Sequence, residues 1–102
     1  MAQKPESKLQ VQCLKYVKEL EKQGKPIIAV NQHGSAYGSR GVPDIILCIK
    51  GHFVAVELKV GDNTPTPLQK HWLDKIVEAG GHAYVCYTFD KFKILLTTYG
   101  CF

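Results

Sequence analysis

No apolar run in this chain approaches the roughly 18 residues of a membrane-spanning helix, and no charged segment leads into a short apolar one as in a secretory signal. A cytoplasmic protein with no membrane partner is expected. The four cysteines, Cys13, Cys48, Cys86 and Cys101, form no Cys-x-x-Cys pair and have no histidine at zinc-finger spacing. This argues against a zinc site and, in a reducing compartment, against a disulfide framework. Three of the four fall on faces expected to be buried, where a free cysteine acts as a small hydrophobe. A glycine-rich phosphate loop, a dinucleotide fingerprint and a Ser/His/Asp arrangement are all missing, so no organic cofactor is expected. Internal repeats and low-complexity tracts are absent too, and Arg40 is the sole arginine.

What remains is ordinary for a soluble domain. At 102 residues, 45% hydrophobic and 22% charged, the chain suits one core and is expected to form a single domain over residues 1–102, with 1–4 as a disordered start. A net charge of +4 permits contact with nucleic acid without demanding it.

The informative stretch is Gly41 to Lys59, where Asp44, Glu57 and Lys59 sit in strongly apolar surroundings. Two runs rich in β-branched residues, Ile45 to Ile49 and Phe53 to Leu58, flank Lys50-Gly51-His52 and read as two strands of a tight hairpin. A two-residue loop at Lys50-Gly51 sets Ile49 opposite His52 and, counted outward, Asp44 opposite Glu57. Side chains alternate along a strand, so Lys59 joins Glu57 on the same face. That face carries Ile46, Cys48, Phe53 and Ala55; the other carries Ile45, Leu47, Ile49, Val54, Val56 and Leu58. Both are apolar, which predicts central strands covered on both sides, with the charges at one end of a buried sheet. Like charges directly opposite repel. A divalent cation would neutralise the pair, and hard carboxylate oxygens suit magnesium or manganese. A solvated edge strand bearing a Glu-x-Lys is the competing reading.

Gly41-Val42-Pro43-Asp44, twelve intervening residues and Glu57-Leu58-Lys59, followed by Gln69 and Trp72-Leu73, resemble the VRR-NUC (virus-type replication-repair nuclease) branch of the PD-(D/E)xK nucleases. The resemblance runs from Glu6 to about Val85.

In chain order, Pro5 opens a helix to about Gln23, closed by Gly24. Leu9, Cys13, Tyr16, Val17 and Leu20 form its apolar arc, and Glu6 falls inside that arc. Glu6 either supports the helix N-terminus, where the dipole favours negative charge, or points a third carboxylate at the sheet; the resemblance implies the second. Lys8, Lys15, Lys18 and Lys22 share the opposite face, as a solvated stripe or as phosphate contacts. Pro26 to Val30 reads as a short strand. The polar loop from Asn31 to Gly41 holds His33, Tyr37 and Arg40, which could meet a nucleic-acid backbone or base; a simple long connection is the alternative. Thr66 is a good N-cap, Pro67 suits the first helical position, and Gln69 completes a capping box. The resemblance also places Gln69 near the active site. Leu68, Trp72, Leu73 and Ile76 stripe this helix, Gly80-Gly81 ends it, and His82 to Thr88 alternates as a strand. After Phe89, a short helix capped by Asp90 and a strand over Ile94-Leu95-Leu96 both remain open.

The order is an α/β fold, and the resemblance implies a restriction-endonuclease-like α-β-β-β-α-β core with a central mixed sheet flanked by helices. It further implies a Mg2+-dependent deoxyribonuclease, with Mn2+ able to substitute. Asp44 and Glu57 would hold the metal, with Glu6 as a direct or water-mediated ligand and the Leu58 carbonyl completing the protein share. Lys59 would orient or deprotonate the attacking water or stabilise developing charge; a basic lysine needs a lowered pKa, which adjacent carboxylates oppose, so orientation and charge stabilisation are favoured. Standalone proteins of this kind are similar to phage enzymes that cut branched DNA, notably four-way (Holliday) junctions, as homodimers. That implies DNA as partner and a bacterial or phage-infected cytoplasm. A less selective flap or duplex-end nuclease and a non-catalytic nucleic-acid-binding module are the alternatives.

Overall fold

Helix α1, Pro5–Lys22, begins at a proline, whose missing N–H costs nothing at that position, and gives way to Gly24 at φ +79°. The computed structural model describes residues 5–30 and 41–100; the readings for residues 1–4 and for His33, Tyr37 and Arg40 lie outside them. Leu9, Cys13, Val17 and Leu20 are buried along one stripe of α1, while Lys8, Lys15, Lys18 and Lys22 are exposed.

Among the described residues four strands follow in a single sheet of order β1-β2-β3-β4: β1 Ile27–Val30, β2 Ile45–Ile49, β3 His52–Leu58 and β4 His82–Cys86. The β2–β3 hairpin turns on Lys50 (φ 51°) and Gly51 (φ 86°), the two positive φ values that a two-residue turn requires when its twist matches the strands. Its register, Ile45↔Val56 through Ile49↔His52, is the one expected from that loop. β1 pairs antiparallel with β2, whereas β4 runs parallel to β3. A parallel neighbour needs a crossover, supplied by α2, Pro67–Glu78. Its start is the expected capping box: Thr66 Oγ1 accepts from the Gln69 N–H and Gln69 Oε1 accepts from the Thr66 N–H.

β4 ends at Cys86, two residues before the expected limit, because Thr88 serves as the N-cap of a third helix and its hydroxyl accepts from the Lys91 N–H. That helix, α3, Phe89–Thr97, resolves the open segment: Leu95 and Leu96 are buried beside Phe92 while Ile94 points outward, a helical and not a strand periodicity.

α1 and α3 cover one face of the sheet, where Leu47, Ile49, Val54, Val56 and Leu58 meet Cys13, Val17 and Phe92 in the main core. Fully burying each aliphatic side chain is worth about 1.5–3 kcal/mol. On the other face α2 packs against β3 and β4. The expectation of cover on both sides of β2 and β3 fails at the hairpin end, where Phe53 stays 48% exposed and Cys48 is exposed rather than buried; on the neighbouring β1, Ile28 and Val30 are 54% and 51% exposed. The apolar pattern was read correctly, but α2 reaches across only half of that face.

The first turn of α2 also closes on the lead-in to β2. A Cβ on Gly41 would lie 2.9 Å from Leu68 Cγ and 3.0 Å from Leu68 main-chain atoms, and the φ of +85° disfavours any other residue. Gly41 thereby lets the Pro43-Asp44 segment run under α2.

Candidate active site

Asp44 stands at the residue before β2, and continuing the β2–β3 register places it against Glu57, the penultimate residue of β3. Its Oδ2 accepts from the Leu58 N–H at 2.8 Å. The bond extends the pairing of the two strands by one side chain and fixes the carboxyl beside Glu57. Glu6, from the first turn of α1, brings a third carboxylate: one oxygen each from Glu6, Asp44 and Glu57 lie within 4.8 Å of one another. Glu6 therefore faces the sheet, as its place inside the apolar arc predicted.

Glu57 is 1% exposed, and as a carboxylate neither of its oxygens accepts a hydrogen bond, whereas in its protonated form it can share a hydrogen bond with the Asp44 side chain. Lys59, also buried, approaches Glu57 Oε2 at 3.8 Å, an ion-pair distance that is long for a hydrogen bond. Burial, the Asp44 carboxylate beside it and, to a lesser degree, Glu6 push the Glu57 carboxyl up to about 8, against the opposing pull of the Lys59 ammonium. Two ionised carboxylates 4.8 Å apart repel by roughly 3 kcal/mol at an effective dielectric near 20, so a bare, fully ionised cluster is costly. A hard divalent cation fits this donor set: three converging carboxylates, two buried oxygens that accept no hydrogen bond, and no nitrogen or sulfur ligand in the cluster among the described residues.

Gln69 is held by the capping box, and among the described residues it makes no hydrogen bond to Asp44, Glu57 or Lys59. Lys8 and Lys15 project into solvent from α1. A groove of about 300 Å3 leads from Asp44 and Ile45 between α1 and β1, past Gln10, Leu14 and Lys18. Gln10 is the site neighbour that the sequence reading missed: its Nε2 donates to the Asp44 main-chain carbonyl at 3.1 Å. Its signal was slight, a polar residue one turn after Glu6 on the flank of the apolar arc.

A mixed sheet with carboxylates and a lysine gathered where β2 begins and β3 ends is the core of a PD-(D/E)xK nuclease. The sequence profile of the archaeal Holliday junction resolvase family (Hjc) matches residues 14–99, and the chain belongs to that family of nucleases. The matched span contains Asp44, Glu57, Lys59 and Gln69 and begins after Glu6 and Gln10. Two solved structures share the fold. One, described as a VRR_NUC domain, superposes with a TM-score of 0.60 at 24% identity, covering 88% of this chain and 96% of that one. Another, a VRR_NUC domain protein, reaches a TM-score of 0.72 at 19% identity over 97% of this chain and 90% of its own. No curated protein sequence matches the chain at a significant level.

Proposed function

We propose that this nuclease is a divalent-metal-dependent DNA endonuclease acting on branched DNA, four-way junctions foremost, as a homodimer. The observation that carries the reading is the cluster of Glu6, Asp44 and Glu57 carboxylates within 4.8 Å, with both Glu57 oxygens buried and accepting no hydrogen bond. Mg2+ is the natural occupant of an all-oxygen site, and Mn2+ would substitute. Asp44 and Glu57 would hold it directly, and Glu6 directly or through water. Within a strand the N–H and C=O of one residue point to the same side. Since the Leu58 N–H meets Asp44, its carbonyl faces the same flank, beyond the point where the β2 ladder stops, and is available as a further ligand.

The bound cation would polarise the scissile phosphate and lower the pKa of an attacking water. Lys59, with its ammonium 3.8 Å from Glu57, would orient that water and offset charge building on the phosphate oxygens. Gln69 spends its carbonyl oxygen on the Thr66 N–H, which leaves its NH2 group to donate to a phosphate oxygen. Lys8 and Lys15 are assigned to the DNA backbone, where lysines position a duplex without reading it. His33, Tyr37 and Arg40 are assigned to backbone and base contacts. The half-uncovered sheet face, with Ile28, Val30 and Phe53 exposed, supports a second copy packed there by two-fold symmetry. A bacterial or phage-infected cytoplasm suits this activity.

The test is cleavage of labelled junction, flap, duplex and single-stranded DNA with Mg2+, Mn2+ or EDTA. Metal-dependent cutting fastest on the junction is expected. Equal rates on flaps and duplex ends would return a less selective nuclease, and inactivity of folded protein on every substrate would leave a nucleic-acid-binding module.

A further inference from the structure

Helix α1 meets the sheet almost wholly through Leu9, Cys13, Val17 and Leu20. Aliphatic contacts are not directional, and on their own they let a helix rotate or slide with little penalty. Among the described residues no hydrogen bond or ion pair holds Glu6, and the setting of α1 is what brings its carboxylate to Asp44 and Glu57. A side-chain hydrogen bond ties α1 to the start of β2: Gln10 Nε2 donates to the Asp44 carbonyl at 3.1 Å. Gln10 lies four residues after Glu6, one helical turn on the same flank. Asp44 is thus gripped twice, at its carbonyl by α1 and at its carboxylate by the Leu58 N–H of β3.

We propose that Gln10 is a positioning residue for the acidic site: its bond to the Asp44 carbonyl locks α1 in register with β2, so that Glu6 reaches the Asp44–Glu57 pair. The proposal rests on the reading of that cluster as a divalent-cation site. Ligands must be held within about 0.5 Å of the productive geometry, a tolerance that a rotation or slide of the helix would exceed. Gln10 itself touches neither the cation nor the phosphate in this scheme; it acts through Glu6.

The experiment is Mn2+ titration of the full chain without DNA, with free Mn2+ read by electron paramagnetic resonance, in wild type, Gln10→Met, Glu6→Gln and the double variant. Methionine keeps the length and helix propensity of glutamine and removes the donor; Gln10→Ala repeats the test should methionine disturb folding. Gln10→Met is expected to lower Mn2+ affinity about tenfold, the lower end for loss of an outer-shell partner. The double variant should bind no more weakly than Glu6→Gln alone, because both changes remove the same ligand. Unchanged affinity in folded Gln10→Met, or losses that multiply in the double variant, would overturn the positioning role and leave the cation site standing. A wild type that binds no Mn2+ would overturn the cation site and the positioning role together.

Discussion

The Asp44 carboxylate accepts a 2.8 Å hydrogen bond from the Leu58 main-chain N–H, so one side chain both extends the β2–β3 pairing and stands beside the buried Glu57. Strand register and site geometry are therefore a single variable: a one-residue slip would turn Glu57 and Lys59 to the opposite face. Asp44→Asn keeps an acceptor for Leu58 but discards the charge that opposes Glu57. It should abolish metal-dependent cleavage while leaving metal-free stability at or above that of the wild type. Asp44→Ala strands the Leu58 N–H and should be less stable than Asp44→Asn by about 1–3 kcal/mol. Urea unfolding in EDTA, beside a cleavage assay on protein free of wild type, checks both. An active Asp44→Asn enzyme would remove Asp44 from the chemistry.

The Glu57 carboxyl, pushed up by burial and Asp44 from its ordinary 4.5 to about 8, makes metal-free stability depend on pH. Below 4.5 both folded and unfolded chains hold the proton, and the group does not alter stability. Between 4.5 and 8 the unfolded chain has released a proton that the folded chain keeps. Stability then falls as pH rises, on the order of a few kcal/mol across the window, and levels off above it. Urea unfolding in EDTA at pH 5 and pH 8 should show this loss in the wild type and much less of it in Glu57→Gln. Mg2+ should restore stability at pH 8 by binding the folded carboxylates. Equal pH slopes in the two proteins would contradict the burial argument.

The features readable from sequence were those with local causes. Lys50-Gly51 between two β-branched runs sets the hairpin register, hence Asp44 against Glu57, through turn chemistry alone. Thr66, Pro67 and Gln69 announce a helix start, and Glu6 stands out because it interrupts an apolar arc. What escaped were facts of tertiary reach. Ile28, Val30 and Phe53 have the same apolar character as Leu47 or Val54, and only the placement of α2 decides which of them is covered. The triplet Ile94-Leu95-Leu96 suits a strand or a helix until Phe92 and Leu95 are seen to bury together. Gln10 escaped because its partner is a main-chain carbonyl distant in sequence, which no side-chain pattern marks.

Lys59 offers a separation of binding from rate. Its ammonium lies 3.8 Å from Glu57, close to the cluster that would hold a cation, and its charge opposes the entry of that cation. Lys59→Met should therefore bind Mg2+ or Mn2+ as tightly as the wild type or more so. Cleavage should nonetheless fall by about 100-fold or more, the usual consequence of losing a group that meets charge developing in the transition state. Metal titration by calorimetry and single-turnover cleavage at saturating metal decide it. A loss of rate that extra metal fully repairs would make Lys59 a structural partner of Glu57.

Two strands of a symmetric junction are cut most simply by two active sites related by a two-fold axis, and the uncovered half of the sheet offers the surface for it. Ile28 is 54% exposed in the single chain, so Ile28→Asp should leave its folding within about 0.5 kcal/mol of the wild type. In a dimer the same aspartate would be buried without a partner, at a cost that dissociates the pair. Sedimentation should then show a dimer for the wild type and a monomer for Ile28→Asp, and paired junction cuts should give way to single nicks. Cys48 supplies an independent reading from the same face. Burial pushes the thiols of Cys13 and Cys86 up to about 12 and about 11, so neither should react at neutral pH. In a Cys101→Ser background, Cys48 is left as the reactive thiol; it is exposed in the single chain and would be covered in the proposed dimer. Alkylation of Cys48 should be slow in the wild type at dimer-forming concentrations and fast in Ile28→Asp. A wild type that sediments as a monomer with junction DNA, its Cys48 open to alkylation throughout, would take away both the dimer and this face as its seat.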